Sequence, residues 1–209
     1  MGHRNVAEDR IMKSLFLSPD VCTIEGFLSP AECESLVDAS EGASYEAATV
    51  DTRGGPRMLG NLRNNDRVTT DDPVRAEWLW QRLRTAFPLE HRGAFRAVGV
   101  NERLRFYRYG PGQKFDWHRD GTFPRGDGAT SRFTFMVYLN EACEGGETLF
   151  RDLPIYGDDG RSYPSELAVR PRTGMALLFH HPLMHKGDTV REGVKYVLRT
   201  DVMYRLIIR

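Results

Sequence analysis

Two hydrophobic patterns divide the chain near residue 98. Before it, apolar positions recur at helical spacing or in short isolated runs; after it, they gather in β-branched and aromatic runs between turns. Ser29-Pro30-Ala31-Glu32 predicts a helix start, with Ser29 as N-cap, Pro30 at the first helical position and Glu32 closing a capping box. Cys33, Leu36 and Val37 then share a face, and Gly42 ends the helix. Asp71-Asp72-Pro73 opens a second helix whose stripe of Val74, Trp78, Leu79, Leu83 and Phe87 would brace the outside of a sheet, with Phe87-Pro88 as its stop. Residues 12–16 and 21–27 read as short strands around a turn at Ser18-Pro19-Asp20, and residues 1–10 as a frayed end. Between Tyr45 and Asp72 the pattern weakens. Gly54-Gly55-Pro56 reads as a turn, and Asn61 to Arg67 as a solvated loop or, in a sharper alternative, a lip that reads a polar substrate.

From Gly99 the expected strands are 103–109, 133–139, 148–150, 167–170, 175–179 and 194–204. Gly-rich turns separate them, among them Gly110-Pro111-Gly112, Gly126-Asp127-Gly128, Gly157-Asp158-Asp159-Gly160 and Glu192-Gly193. Many short strands at regular spacing indicate a sandwich or barrel. The expectation is an α+β, mainly β chain: a double-stranded β-helix (jelly roll) over residues 99–209, braced by N-terminal helices. Residues 1–98, with the N-terminal strands and supporting helices, would belong to the same unit.

Composition narrows the function classes. Apolar residues make up 40% and aromatics 11%, enough for a packed core. Lys plus Arg and Asp plus Glu both number 29, so a zero net charge offers no support for nucleic-acid or membrane-surface binding. Cys22, Cys33 and Cys143 are odd in number, far apart and without a C-x-x-C, which speaks for a reducing, cytoplasmic setting. The N-terminal residues, broken by Arg4, Glu8, Asp9, Arg10 and Lys13, show no secretory pattern, and no run of about 20 apolar residues predicts a membrane span.

The candidate chemistry lies in Phe115-Asp116-Trp117-His118-Arg119-Asp120-Gly121. On an extended backbone His118 and Asp120 point to one side. A second His from a neighbouring strand would complete two His and one carboxylate with open positions, the ligand pattern of non-heme Fe(II) oxygenases. Downstream candidates are His180, His181 and His185; His3 and His91 read as ordinary surface residues. Gly145-Gly146 marks a place where backbones approach closely. Lys195 lies on the strand after His185, around a turn, where a cation can anchor the far carboxylate of a small dicarboxylic acid. Arg199 has the strand parity of Lys195 and enters the barrel paired, either with an acid such as Asp201 or with a substrate carboxylate. Arg119, between His118 and Asp120, points away.

The order Y-x-x-G-x-x-F-x-x-H-x-D, Y-L-N, G-G-E-T-x-F, H, then G-x-K resembles Fe(II)- and 2-oxoglutarate-dependent dioxygenases of the prolyl 4-hydroxylase type over about residues 99–205. The stretch from Leu28 to Cys33 resembles that family's leader; residues 45–98 match no motif. The resemblance implies His118, Asp120 and His185 as iron ligands, His185 being preferred because it alone has Lys195 at the family spacing. It implies that Lys195 pairs with the 5-carboxylate of 2-oxoglutarate, that Tyr109 and Thr148 hydrogen-bond that end, and that Tyr138 assists. The implied reaction uses Fe(II), 2-oxoglutarate and O2, with ascorbate as a supporting reductant. It hydroxylates an unactivated C–H and releases succinate and CO2. Because Asp120 is present, hydroxylation is favoured over halide transfer.

The resemblance points to a peptide or protein substrate, with prolyl residues among the candidates, or to a free amino acid. Competing readings are a non-catalytic metal-binding jelly roll, and a dioxygenase acting on a nucleic acid or a small metabolite. The segments that would choose the substrate, 51–67, 122–130 and 152–166, are the least patterned, and oligomeric state leaves no sequence signal.

Overall fold

The computed structural model describes residues 11–207 apart from 53, 54, 58 and 158. The expectations for residues 1–10, His3, Gly54 and Asp158 lie outside the described residues. The first half contains β1 (Lys13–Ser18), β2 (Val21–Glu25), α1 (Pro30–Glu41), β3 (Glu46–Ala47), β4 (Val50–Thr52), β5 (Gly55–Arg57), β6 (Asp66–Asp71), α2 (Pro73–Ala86), β7 (Glu90–His91) and β8 (Phe95–Val100). The second half contains β9 (Arg103–Tyr109), β10 (Phe115–His118), β11 (Thr130–Tyr138), β12 (Cys143–Gly145) and β13 (Thr148–Arg151). It ends with β14 (Leu167–Val169), β15 (Ala176–His180), β16 (Met184–Gly187), β17 (Val190–Gly193) and β18 (Lys195–Leu206).

A large antiparallel sheet runs β1-β2-β15-β11-β18-β9-β6-β3. The long β18 takes β9 on its first half, from Lys195↔Tyr109, and β8 on its second, from Val202↔Val100. A smaller sheet, β10-β16-β13-β14, faces it. Between the two lies one core, in which Met136, Leu177, Phe179 and Val197 of the large sheet join Phe115 and Phe150 of the small one. A second core packs the other face of the large sheet, through Phe135, Val137, Leu178, Leu198 and Val202, against Cys33 and Leu36 of α1 and Leu79 and Leu83 of α2. This is the expected jelly roll. Coverage on both faces explains why β11 and β15 read as continuous apolar runs rather than alternating ones.

α1 begins as its sequence dictates: Ser29 Oγ accepts from Glu32 N at 2.9 Å and Glu32 Oε2 accepts from Ser29 N at 2.8 Å. Such a cap contributes about 1 kcal/mol. Asp72 caps α2 by accepting from Arg75 N at 2.8 Å. The α2 stripe needs one correction. Val74 is 81% exposed, and Ala76 takes the buried place beside Leu79, Leu83 and Phe87. Trp78 only partly packs on the core, with Arg82 over its ring.

Residues 45–72, weakly patterned in sequence, and residues 90–100 supply β3–β8. Of these, β6 and β8 pair directly with β9 and β18 of the large sheet. β6 has Val68 as its single apolar residue and β8 is broken by Arg96 and Gly99, so neither displays a run or a strict alternation. The short β12, β16 and β17 were missed for a related reason: three or four residues are too few to display a period. The strands expected at 133–139, 175–179 and 194–204 are present with their ends shifted by one to three residues.

Candidate active site

β10 and β16 pair antiparallel with His118 opposite His185, and the chain leaving β10 carries Asp120 into the same space. Asp120 N donates to His181 O at 3.1 Å, which fixes the backbone just beyond the strand. His118 Nε2 lies 3.6 Å from Asp120 Oδ1, and His185 Nε2 lies 3.6 Å from Asp120 Oδ2. The ligating atoms of all three residues fall within 4.8 Å of one another.

The imidazoles are oriented from behind. His118 Nδ1 is 2.7 Å from Asp116 O, and His185 Nδ1 is 3.0 Å from Leu183 O. A carbonyl oxygen only accepts, so each Nδ1 carries the proton and each Nε2 presents a lone pair to the site. Phe115 stacks on His118 with centroids 3.5 Å apart, and Phe179 packs on His185 at 4.4 Å. Burial, together with the nearby His118 and Arg199, pushes the His185 pKa down to about 4, although Asp120 opposes it. The ring is therefore neutral near pH 7. Buried His118 Nε2 makes no hydrogen bond. Two imidazoles and a carboxylate on one side, with other positions open, fit a divalent first-row metal of the Fe(II) class.

Asp120 is set by residues on the facing sheet. Arg199 Nη2 is 2.7 Å from its Oδ1, and the Thr134 hydroxyl donates to its Oδ2. Burial alone would raise its pKa. Arg199 first, then the two His, overcome that and hold the carboxyl well below the usual range. Of the two expectations for Arg199, pairing with an acid is what the structure shows; the acid is Asp120 rather than Asp201. Asp201 instead meets Arg105 at 3.4 Å and buried His181 at 3.5 Å.

Further into the chamber Lys195 is 2% exposed. Its Nζ donates to Gly146 O at 2.6 Å and sits over the Tyr109 ring at 4.8 Å and the Tyr138 ring at 5.9 Å. Burial pushes its pKa down to about 8, against opposing pulls from Cys143, Glu147 and Asp188. Thr148 Oγ1 and the Tyr138 hydroxyl are 2.7 Å apart, forming a hydroxyl pair in the same chamber. Gly187, aligned with Phe115 on one side and Thr148 on the other, bridges the triad's strands to this end. A buried ammonium with three donors, beside hydroxyls, fits one carboxylate of a small dicarboxylic acid.

The glycine pair is required where the sequence suggested. A Cβ on Gly145 (φ +76°) would stand 2.3 Å from Thr189 O, and one on Gly146 (φ +71°) would press on Lys195 and Val190. Arg119 Nε donates to Pro182 O at 2.9 Å, away from the triad.

Three site expectations change. Arg63 and Asn65, read as a solvated loop or a lip, are 4% and 0% exposed. Arg63 Nε donates to Asn65 Oδ1 at 2.7 Å, and its guanidinium stacks on Tyr107 at 4.5 Å and Phe115 at 4.3 Å. It thus supports the chamber wall. Tyr107, not singled out in sequence, lines the chamber. Burial raises its pKa, but Arg63, Arg199 and Arg105 overcome this and bring it to about 8. His91 is nine-tenths buried beside Asp20 and His180, not a surface residue. Arginine in a polar run carries no sign of burial, which depends on aromatic partners from distant strands.

The family model described as 2OG-Fe(II) oxygenase superfamily matches residues 104–200. A curated Arabidopsis thaliana protein, probable prolyl 4-hydroxylase 4, is 27% identical over 88% of this chain and 67% of its own length. Probable prolyl 4-hydroxylase 6 of the same plant is 29% identical over 82% of this chain and 61% of its own. The chain therefore spans about two thirds or less of these relatives. Among solved structures, a viral collagen prolyl hydroxylase from Paramecium bursaria chlorella virus-1 covers 88% of this chain and 95% of its own, with TM-score 0.54 and 21% identity. A Trichoplax adhaerens prolyl hydroxylase, solved with a peptide fragment of hypoxia inducible factor, covers 88% of this chain and 84% of its own, with TM-score 0.63 and 13% identity. At those identities the structures speak for the shared fold.

Proposed function

We propose that the chain is a prolyl 4-hydroxylase-like 2OG-Fe(II) oxygenase that hydroxylates an unactivated C–H of a peptidyl residue, with proline the first candidate. The observation that carries the reading is one chamber holding an open His118–Asp120–His185 triad and a buried Lys195. In this reading His118 Nε2, His185 Nε2 and the Asp120 carboxylate hold Fe(II). Lys195 and the Thr148 hydroxyl receive the 5-carboxylate of 2-oxoglutarate, with the Tyr109 and Tyr138 hydroxyls assisting. Bound iron and 2-oxoglutarate supply the oxidation, one oxygen atom of O2 entering succinate as CO2 leaves and the other entering the substrate C–H.

The protein's part is orientation and exclusion of water. Asp116 O and Leu183 O hold both rings in the ligating tautomer. Thr134 and Arg199 keep Asp120 ionised and aimed. Phe115, Met136, Phe179 and Val197 give the chamber apolar walls that exclude competing water. The peptide substrate is supported by the relatives' names and by the neighbour solved with a peptide. A closed structural metal site is less well supported: among the described residues three ligands converge here, and structural sites usually fill the shell with four.

The test is incubation of purified protein with Fe(II), 2-oxoglutarate, ascorbate and proline-containing peptides, reading succinate together with a gain of one oxygen on the peptide. Both signals should vanish in His118→Ala. Absence of succinate formation with any peptide or desalted lysate would overturn the assignment.

A further inference from the structure

A second group of ligating side chains lies on the opposite face of the large sheet. His180 aligns with Phe133 across β15 and β11, so its ring turns to the helix side, whereas Phe179 packs on His185. There it meets His91 of β7, with ring centroids 4.8 Å apart, and Asp20 from the β1–β2 turn. The ligating atoms of Asp20, His91 and His180 fall within 4.8 Å of one another, as those of His118, Asp120 and His185 do.

The details match an ion better than a hydrogen-bonded cluster. Asp20 Oδ1 and His91 Nε2 are 3.5 Å apart, close to the 3.6 Å edges of the first triad. That is long for an N–H···O bond. It is, however, about the ligand–ligand edge, ~3.3–3.5 Å, of a tetrahedron with zinc-type bond lengths. His91 Nε2 is buried without a hydrogen-bond partner. A groove of about 570 Å³, lined by Phe16, Phe87, Phe133, Tyr156 and Tyr204 as well as the triad's Asp20 and His91, gives an ion access and leaves room for a further ligand.

The surroundings also say which ion. Arg92 Nη2 holds Asp20 Oδ2 at 3.0 Å, leaving Oδ1 for the site. Arg132 Nε donates to His91 Nδ1 at 3.4 Å, a long bond that an ion on Nε2 would have to break so that Nδ1 can carry the ring proton. With two guanidiniums close by, a hard cation such as Mg²⁺ or Ca²⁺, which relies on several carboxylates, gains too little. A transition-metal ion bonding two imidazole nitrogens is less dependent on net charge. His180 is available as a neutral ligand: burial pushes its pKa down to about 4, opposed by Asp20 and joined by His91, Arg132 and Arg92.

We propose that Asp20, His91 and His180 bind a transition-metal ion of the zinc class at a site separate from His118, Asp120 and His185. The ion clamps three segments far apart in sequence: the β1–β2 turn, the β7–β8 hairpin and the end of β15.

Chelator-stripped full-length protein titrated with Zn(II) and with Co(II) tests this. Wild type should take up two ions per chain, and His118→Ala and His180→Ala one each. Within the His118→Ala background, Zn(II) should raise Tm by several degrees, and adding His180→Ala should abolish the rise. If His180→Ala does not fold by circular dichroism, Asp20→Asn takes its place. Arg132→Ala should tighten Zn(II) binding, by removing a cation beside His91. The proposal is overturned if His118→Ala binds no ion, if neither His180→Ala nor Asp20→Asn lowers the stoichiometry, or if Arg132→Ala leaves affinity unchanged or weaker. A single ion abolished by His118→Ala would sink this second site and leave the first intact.

Discussion

The two faces of β18 handle burial in opposite ways. Toward the helices it sends Leu198 and Val202, 1% and 0% exposed, into a core of apolar side chains. Toward the chamber, two residues apart along the same strand, it sends Lys195, Val197 and Arg199. The first face gains roughly 25 cal/mol for each Å² of apolar surface removed from water. The second carries buried charges that cost several kcal/mol each unless paired. Arg199 is paired within the protein, by Asp120, but Lys195 has chiefly a carbonyl and two aromatic rings around it. The contrast marks which face the fold needs and which face the chemistry needs.

The strongest challenge to that contrast is Asp120→Ala. It removes a proposed ligand and strands the Arg199 guanidinium, so metal content and succinate formation should both fall to background, with stability down by about 3–5 kcal/mol. Elemental analysis and urea unfolding would read the two losses. On the other face, Leu198→Ala should cost about 2–5 kcal/mol while the apparent affinity for 2-oxoglutarate in the folded fraction stays within about twofold. A large affinity loss there would show that the two faces are not separable.

Lys195→Met reverses the pattern. The concentration of 2-oxoglutarate needed for half-maximal turnover should rise about 100-fold or more, with Tm unchanged or higher because a buried charge is gone. In the wild-type protein the Lys195 pKa near 8 makes the same point by pH. The ammonium is present below that value and lost above it, so 2-oxoglutarate binding measured by calorimetry should weaken as pH rises through about 8. An ordinary lysine would hold its charge to about 10.

The smallest effect belongs to the brace. Arg82 grips Glu32 of α1 and, with its cap contacts, brings that carboxyl from 4.5 to about 2. A depressed acid stabilises above its unfolded pKa, so this contribution is full above pH 4.5 and lost as pH falls toward 2. The pair is partly exposed, and screening limits it to about 0.5–1 kcal/mol. Arg82→Ala should therefore lower stability by about that amount at pH 7 and make no difference near pH 2.

Legibility followed range. The Ser29–Glu32 capping box, the Gly145-Gly146 approach and the His118-x-Asp120 spacing are local, so a few adjacent letters sufficed to read them. Thr148, Tyr138 and Lys195 became readable only as an ordered set. Arg63, His91 and Tyr107 were misjudged or missed, because each owes its environment to partners tens of residues away.

By itself, then, the sequence determined the capped helices, the turn-separated strands and the residue types able to hold iron and a dicarboxylic acid. These follow from backbone sterics and side-chain chemistry at short separation. Only the tertiary structure decided that Arg199 serves Asp120, that Arg63 lies behind the chamber wall and that Asp20, His91 and His180 meet. Burial and charge pairing are properties of the space between strands, and strands from both halves of the chain enclose that space.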